Sequence, residues 1–266
     1  MAPDSRQLKG NYAIEIIDCL SLESALEVIM HYLFLDESYS PGKGRKTIIM
    51  AAWLVEQARL NRYLSTSPDL HRTPVLNGIN SMLESLDAWA AVACADLDEK
   101  LFRAGEIDGT DDIPSMARTD NIWSQCFIFV VGNLIAKLVY EGKDLGTVDI
   151  HFDPKSLKPD HAAAVGATLR NMLVQEAKRY ASQLARLSGA RLHLLKNLKI
   201  RRIEPVTKAR NGQAPDKFQT GTWVADKLCS SYEIIRTRSF SRIVAIDMSE
   251  VVRKTVQQFD GKSFYK

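Results

Sequence analysis

The chain has 266 residues, of which 45% are hydrophobic and 25% are charged, a composition typical of a globular protein with a substantial core. The length favours one domain spanning residues 1–266 over two independent domains. The formal net charge is +3, which is too small to indicate nucleic-acid binding by itself.

The cysteines exclude two classes of protein. Cys19, Cys94, Cys126 and Cys229 form no CxxC pair, and each lies in an apolar pattern. The cysteines therefore predict free thiols in a reducing compartment, and they predict neither a zinc site nor a disulfide framework. No secretory signal is recognised, and the apolar run Ile122–Tyr140 is interrupted by polar residues, so we expect a soluble, cytoplasmic protein.

Apolar periodicity predicts the elements in chain order. Helices are predicted at Ile14–Ile29, Val75–Leu101, Ile122–Tyr140, Asp160–Leu187, Phe218–Arg236 and Met248–Phe259. Strands are predicted from Met30 to Asp36 and at Lys46–Val55, Gly146–Asp153 and Arg191–Ile203. The first two strands flank a Gly/Pro turn and read as a hairpin. This order predicts an α/β fold with a mixed sheet flanked by helices, and the long helices of residues 70–142 read as a helical insertion.

Three aspartates stand on predicted core elements. Asp36 ends the first strand, Asp153 ends the third strand before Pro154, and Asp226 lies on the predicted helix Phe218–Arg236. Mg²⁺ and Mn²⁺ prefer oxygen ligands, and two such ions clamped by carboxylates can cleave phosphodiesters. Brought together, the three side chains would form a metal site.

Each aspartate also has a purely structural interpretation. Asp36 could accept hydrogen bonds in the turn that follows, Asp153 could form a turn with Pro154, and Asp226 could form an ion pair within its helix. Glu37 and Asp149 are further candidates for the same site, as an assisting catalytic residue and a metal ligand. Alternation along the strand predicts that Glu37 points away from Asp36. His151 is interpreted as a half-buried strand residue.

The segment Lys196–Arg210 is basic and could follow a phosphate backbone. On a strand, Lys199 and Arg201 would share one face and Arg202 would point to the other. A charged edge strand that resists aggregation is the alternative interpretation. Neither a Walker loop nor a GxGxxG, GxSxG or HExxH motif is present in the sequence.

The run Tyr32-Leu33-Phe34-Leu35-Asp36-Glu37-Ser38, followed by a hairpin, resembles the opening of a bacterial and phage family with an "IDES"-like strand. That family looks like a branch of the ribonuclease H-like, or integrase-like, fold. Val148–Asp153 is similar to its middle acidic strand, and Val224-Ala225-Asp226-Lys227-Leu228 is similar to its final Q-x-A-D-L helix motif. Trp223 stands where the family has glutamine, and Lys227 follows the aspartate.

The resemblance implies a ribonuclease H-like sheet with Asp36 on its first strand and Asp153 on a neighbouring strand, together with metal-dependent phosphodiester chemistry. The predicted function is that of a Mg²⁺- or Mn²⁺-dependent nuclease acting on DNA or RNA, in phage defence or a mobile element. A non-catalytic binding or assembly protein of the same fold is the second hypothesis, and another phosphate-processing enzyme is the third. The helices of residues 70–142 would offer a surface for a second copy or a partner protein.

Overall fold

The computed structural model describes residues 29–42, 45–66, 76–98, 114–153, 194, 197–206 and 215–250. The strands within them are β1 (Met30–Gly42), β2 (Arg45–Glu56), β3 (Trp89–Asp98), β4 (Thr147–Phe152), β5 (Lys199–Pro205) and β6 (Ile243–Asp247). The helices are α1 (Gln57–Thr66), α2 (Leu76–Ser85), α3 (Pro114–Tyr140), α4 (Lys217–Ser230) and α5 (Tyr232–Thr237).

The strands form one six-stranded mixed sheet in the order β5-β4-β1-β2-β3-β6. Antiparallel pairing joins β1 to β2, as expected for strands that end at Gly42 and begin at Arg45, and it also joins β2 to β3. Parallel pairing joins β4 to β1, β5 to β4 and β6 to β3. The predicted α/β class, with a mixed sheet flanked by helices, is confirmed.

The sheet is buried on both faces, which explains why its central strands read as nearly continuous apolar runs. One face, here called the α3 face, packs Leu33, Leu35 and the equivalent residues of the other strands against α3. The opposite face, here called the α4 face, packs Tyr32, Phe34 and Trp53 against α1, α2, α4 and α5. Each fully buried apolar side chain of this size contributes about 1.5–3 kcal/mol to folding.

Helix α4 approaches the sheet closely at Gly221. A methyl group added there would lie 2.2 Å from the Phe34 ring, which stacks on Trp53 with its centroid 5.0 Å away. The Trp53 indole Nε1 donates a hydrogen bond to the Gly221 carbonyl oxygen at 2.8 Å, so the buried donor is satisfied by the helix backbone. The absence of a side chain at residue 221 therefore sets the distance between α4 and β1.

The predicted helix Val75–Leu101 is correct only in its first half. Helix α2 ends near Asp87, whose φ of 50° is left-handed, and the alanine-rich run that follows forms β3. Its side chains alternate between Ala91, Ala93 and Ala95 on the α3 face and Ala90, Val92 and Cys94 on the α4 face. Alanine favours helix locally, but pairing with β2 on one side and β6 on the other overrides that preference.

The interpretation of residues 70–142 as a helical insertion is wrong for the same reason, because this segment supplies a strand to the sheet. Its helices also use their apolar residues within the protein. In α3 the residues Cys126, Phe127, Val130, Val131, Leu134, Ile135, Leu138 and Val139 are all buried. The proposed partner surface on these helices is not tested.

Several boundaries differ from the predictions. Strand β1 continues beyond Asp36 to Gly42, because β2 pairs with it along its whole length. Strand β5 begins at Lys199 rather than Arg191, and Ser231 divides the predicted helix Phe218–Arg236 into α4 and α5. Strand β6 was not predicted.

Two other observations concern the helices. Gly142, with φ of 83°, ends α3 as predicted. Three predicted helices lie wholly or mostly outside the described residues, namely Asp160–Leu187, nearly all of Ile14–Ile29 and most of Met248–Phe259. In the part of the chain that the structure describes, no helix is both long and apolar enough to cross a membrane.

Replacing Gly221 with alanine tests the close approach of α4. Alanine favours helix by about 1 kcal/mol over glycine. The methyl group would overlap the Phe34 ring, and such overpacking costs about 1–3 kcal/mol or more. Because the methyl group would lie 2.2 Å from an aromatic ring, we expect the overlap to outweigh the helix preference and Gly221→Ala to lower the free energy of unfolding by about 1 kcal/mol or more in urea titrations.

The matched control is Ser230→Ala at the exposed end of the same helix, where we expect a change within about 0.5 kcal/mol. A Gly221→Ala protein as stable as the wild type would contradict this account of the packing.

Candidate functional site

Asp36 and Asp153 lie side by side on the α4 face. Leu35 pairs with Phe152 across the parallel strands β1 and β4, and the Asp153 N–H donates to the Leu35 carbonyl oxygen at 3.2 Å. The next residues along each strand are the two aspartates, and neighbouring strands lie about 4.8 Å apart. We call these two residues the Asp36–Asp153 pair.

The pair occupies the carboxyl end of β4, although Asp36 does not end its own strand. Asp36 is the central residue of β1, so the prediction that it ends the strand is wrong. Strand β4 stops at Phe152, one residue before Asp153, while β1 and β2 continue. The end of one parallel strand beside a longer neighbour leaves a step in the sheet, a common location for ligand sites in α/β proteins.

Helix α4 packs against the backbone of Asp36. The Cys229 thiol donates to the Asp36 carbonyl oxygen at 3.3 Å, and the Glu37 N–H donates to Asp36 Oδ1 at 2.8 Å. Only 1% of Asp36 is exposed. Asp153 is less enclosed, since the residue is half-buried, although its Oδ1 is buried.

Asp226 lies on α4, one turn before Cys229, and is half-buried. Its two unexpected neighbours contact each other, since Lys227 Nζ lies 5.6 Å from the centre of the Trp223 ring. Among the described residues, no group of three or more His, Cys, Asp and Glu side chains could hold a metal ion. The structure therefore brings Asp36 and Asp153 together but does not bring Asp226 into a three-carboxylate clamp with them.

Glu37 does not join the pair. It follows Asp36 on an extended strand and so lies on the α3 face, as its alternation predicts, where it is 1% exposed. A role for Glu37 in assisting chemistry at the Asp36–Asp153 pair has no support from this position.

Asp149 is also separated from the pair. It precedes Asp153 by four residues on the same strand, a distance of about 13 Å. Arg201 binds it through both carboxylate oxygens, with Nε donating to Oδ1 at 2.8 Å and Nη2 donating to Oδ2. The Asp149 side chain is 4% exposed and the ion pair satisfies it, so the prediction that Asp149 shares a metal with Asp36 and Asp153 is wrong.

A β-bulge changes the predicted faces of the basic strand β5. Val148 pairs with Ile200, but Asp149 pairs with Arg202, so Arg201 is the extra residue. Ile200 and Ile203 are consequently both buried on the α3 face although three positions separate them.

The bulge places Arg201 and Arg202 on the same side of the sheet. Both are exposed, and Lys199 is exposed as well. The prediction that Arg202 points away from Lys199 and Arg201 is wrong, because strict alternation does not hold across the inserted residue.

His151 lies between Asp149 and Asp153 on the α4 face, within an aromatic group. Its ring centroid is 4.2 Å from that of Phe218, 5.6 Å from that of Tyr32 and 5.9 Å from that of Phe34. Nε2 has no hydrogen-bond partner among the described residues. Burial lowers the pKa of His151 to about 4, and Lys217 and Arg202 act in the same direction against Asp149. The imidazole is therefore neutral at neutral pH.

A second polar group lies at the other end of the sheet. Asp87 accepts hydrogen bonds from Lys143 Nζ and from Arg242 Nη1, and Arg59 lies 3.5 Å away. A cleft of about 140 Å³ opens beside it. His31 lines this cleft, and burial lowers its pKa. Because His31 precedes Asp36 by five residues on β1, about 16 Å, the cleft is separate from the Asp36–Asp153 pair.

Sequence reasoning missed three residues that shape this region, namely Lys217, Gly221 and Cys229. The start of α4 was readable, because Asp216 and Gln219 have the spacing of a capping box, and both of its hydrogen bonds are present. The contacts of Gly221 and Cys229 with β1 join residues more than 180 positions apart. No local pattern indicates them.

Compared with known proteins, the chain matches no protein-family model, and no curated protein matches it significantly.

The pKa of His151 predicts how stability depends on pH. The folded-state pKa of about 4 lies below the ordinary value of 6.5, so the unfolded state binds the proton first as the pH falls. Stability is complete above pH 6.5 and is lost as the pH falls from 6.5 to 4. One pKa unit corresponds to about 1.36 kcal/mol, so His151 should remove about 2 kcal/mol between pH 7.5 and pH 5.

The measurement is the free energy of unfolding at both pH values, for the wild type and for His151→Phe. Phenylalanine keeps the ring contacts and cannot bind the proton, so the variant should lose about 2 kcal/mol less on acidification. The effect of His31 is present in both proteins and cancels. An equal loss in the two proteins would show that the imidazole is not held neutral.

Proposed function

We propose that the protein is a Mg²⁺- or Mn²⁺-dependent nuclease of ribonuclease H-like fold. The observation that carries the proposal is the Asp36–Asp153 pair, which two adjacent parallel strands present on one face of the sheet. Two carboxylates placed side by side disfavour the state in which both are ionised, and a cation bound to both relieves that repulsion. The arrangement is typical of a site built for a positively charged ligand.

The arrangement of elements supports the same proposal. The resemblance in sequence implies that Asp36 lies on the first strand, that Asp153 lies on a neighbouring strand and that Asp226 lies on a later helix. Strands β1 and β4 are neighbours, and α4 packs on the face that carries the pair. All three motifs therefore belong to elements that are in contact.

The pair fits a hard divalent cation, because Mg²⁺ is usually bound by one or two carboxylates, with water and substrate phosphate as the other ligands. Asp36 and Asp153 would hold the ion. When bound, it would supply Lewis-acid activation of water and neutralise charge at the scissile phosphate. The three-carboxylate clamp is not formed by the described residues, so Asp226 has no ligand role in this proposal.

A non-catalytic binding protein of the same fold is the second candidate function. The deep burial of Asp36 and the separation of Asp226 from the pair favour it. Such a protein would keep the sheet and its surface but would need neither metal uptake nor cleavage.

Cleavage assays with the full chain test the first function. We expect Mg²⁺- or Mn²⁺-dependent cleavage of DNA or RNA, and a loss of about 100-fold or more in Asp36→Asn and Asp153→Asn, because each removes a charged ligand and keeps its shape. Asp96→Asn is the matched control, since it is an exposed aspartate on β3. Full activity in both Asp36→Asn and Asp153→Asn would refute the proposal.

Calorimetric titration with Mn²⁺ separates the two candidates without a substrate. A nuclease of this type should take up the ion, and Asp36→Asn should abolish the heat of binding while Asp96→Asn retains it. Absence of any heat in the wild type, together with absence of cleavage, would favour the binding protein.

A further inference from the structure

The two exposed arginines at the β5 bulge, Arg201 and Arg202, have different contacts. Both oxygens of Asp149 bind Arg201, which therefore serves the ion pair. Among the described residues, Arg202 forms an ion pair with Glu204, at 3.9 Å, and the two side chains are 53% and 50% exposed. An exposed pair at that distance holds its partners weakly. Arg202 is thus available to an external anion.

Lys217 supplies a second cation at the same level of the sheet. Its Nζ donates to the Tyr32 hydroxyl oxygen at 3.1 Å and lies 4.9 Å from the centre of the Tyr32 ring. Tyr32 pairs with Asp149 across β1 and β4, and Asp149 pairs with Arg202 across β4 and β5. Lys217 and Arg202 therefore lie on the α4 face around the same step of the strand ladder.

Two carboxylates of this region already have partners within the protein. The Asp216 carboxylate accepts hydrogen bonds from the Phe218 and Gln219 N–H groups and caps α4. The Asp149 carboxylate is buried under Arg201. Glu204 contacts Arg202 at 3.9 Å, and a phosphate can displace so weak and exposed an ion pair.

The distance from Arg202 and Lys217 to the Asp36–Asp153 pair indicates how a bound strand would run. Asp149 precedes Asp153 by about 13 Å along β4. A stacked nucleic-acid strand rises about 3.4 Å per nucleotide, so about four nucleotides would span that distance. A strand whose phosphate lies at the pair could follow the β4–β5 edge and bring a second phosphate to Arg202.

We infer that Arg202 and Lys217 form a phosphate-binding subsite, which holds a single strand of nucleic acid about four nucleotides from the Asp36–Asp153 pair. The subsite binds the sugar–phosphate backbone and so contributes affinity and register rather than sequence preference. This inference rests on the proposed function for its substrate class, but its test does not require cleavage.

The experiment is fluorescence anisotropy of labelled single-stranded DNA and RNA of about 12 nucleotides, titrated with the full chain in EDTA so that no metal-dependent cleavage occurs. Arg202→Gln and Lys217→Gln should each weaken binding about 3- to 10-fold and reduce the slope of log affinity against log salt by about one. Both losses should be the same for unrelated sequences. Separate DNA and RNA arms identify which strand is bound.

Arg238→Gln is the matched control, because Arg238 is exposed and follows α5, which packs on β6 at the other edge of the sheet. It should leave both affinity and slope unchanged. Unfolding in urea checks that Arg202→Gln folds as the wild type does. The subsite is refuted if no oligonucleotide binds, if Arg202→Gln binds like the wild type, or if Arg238→Gln loses as much affinity.

Failure of the subsite and failure of the nuclease are distinguishable. Cleavage that needs Asp36 and Asp153 but is unaffected by Arg202→Gln and Lys217→Gln would refute the subsite alone. Binding that depends on Arg202 and Lys217, without cleavage under any metal, would support the subsite and refute the nuclease.

Discussion

The contact between α4 and β1 at Gly221 determines how the candidate site is built. The helix backbone lies directly on the Phe34 ring, and Trp53 ties the Gly221 carbonyl to the neighbouring strand through its indole N–H. The helix runs along β1 from Lys217, near Tyr32, to Cys229, near Asp36. One close approach thus fixes a basic residue at one end of the α4 face and covers the catalytic candidate at the other.

The α4 face carries polar groups along β4 inside an otherwise apolar layer, and the protein stabilises each one differently. Asp149 is neutralised by a two-point ion pair with Arg201, which the β5 bulge delivers. His151 stays uncharged among aromatic rings. Asp153 follows the end of the strand and is half-buried, so it is less enclosed than Asp149 or His151. Burial and charge thus change along one strand, from a structural ion pair at Asp149 to a candidate ligand site at Asp153.

The fold class followed from local signals, and the errors have physical causes. The hairpin β1–β2 was readable from two apolar runs around a Gly/Pro turn. The run Trp89–Asp98 was not, because alanine carries helical preference and its small side chains hide the alternation that both buried faces impose. The bulge in β5 could not be predicted from the sequence either. Nothing in the sequence distinguishes Arg201, the inserted residue, from Arg202, which pairs with Asp149 in the strand register.

The sequence by itself determined which carboxylates stand on core strands. It also indicated that Asp153 lies at a strand end and that Glu37 points away from Asp36, because the alternation of side chains and the Asp-Pro end of a strand are local properties. Only the tertiary structure decided which of these residues meet. Parallel pairing of β1 with β4 set Asp36 beside Asp153, a bulge in the edge strand gave Asp149 to Arg201, and the packing of α4 left Asp226 outside a common metal group. Such pairings depend on register and close approach between segments distant in sequence, which no local pattern of residues encodes.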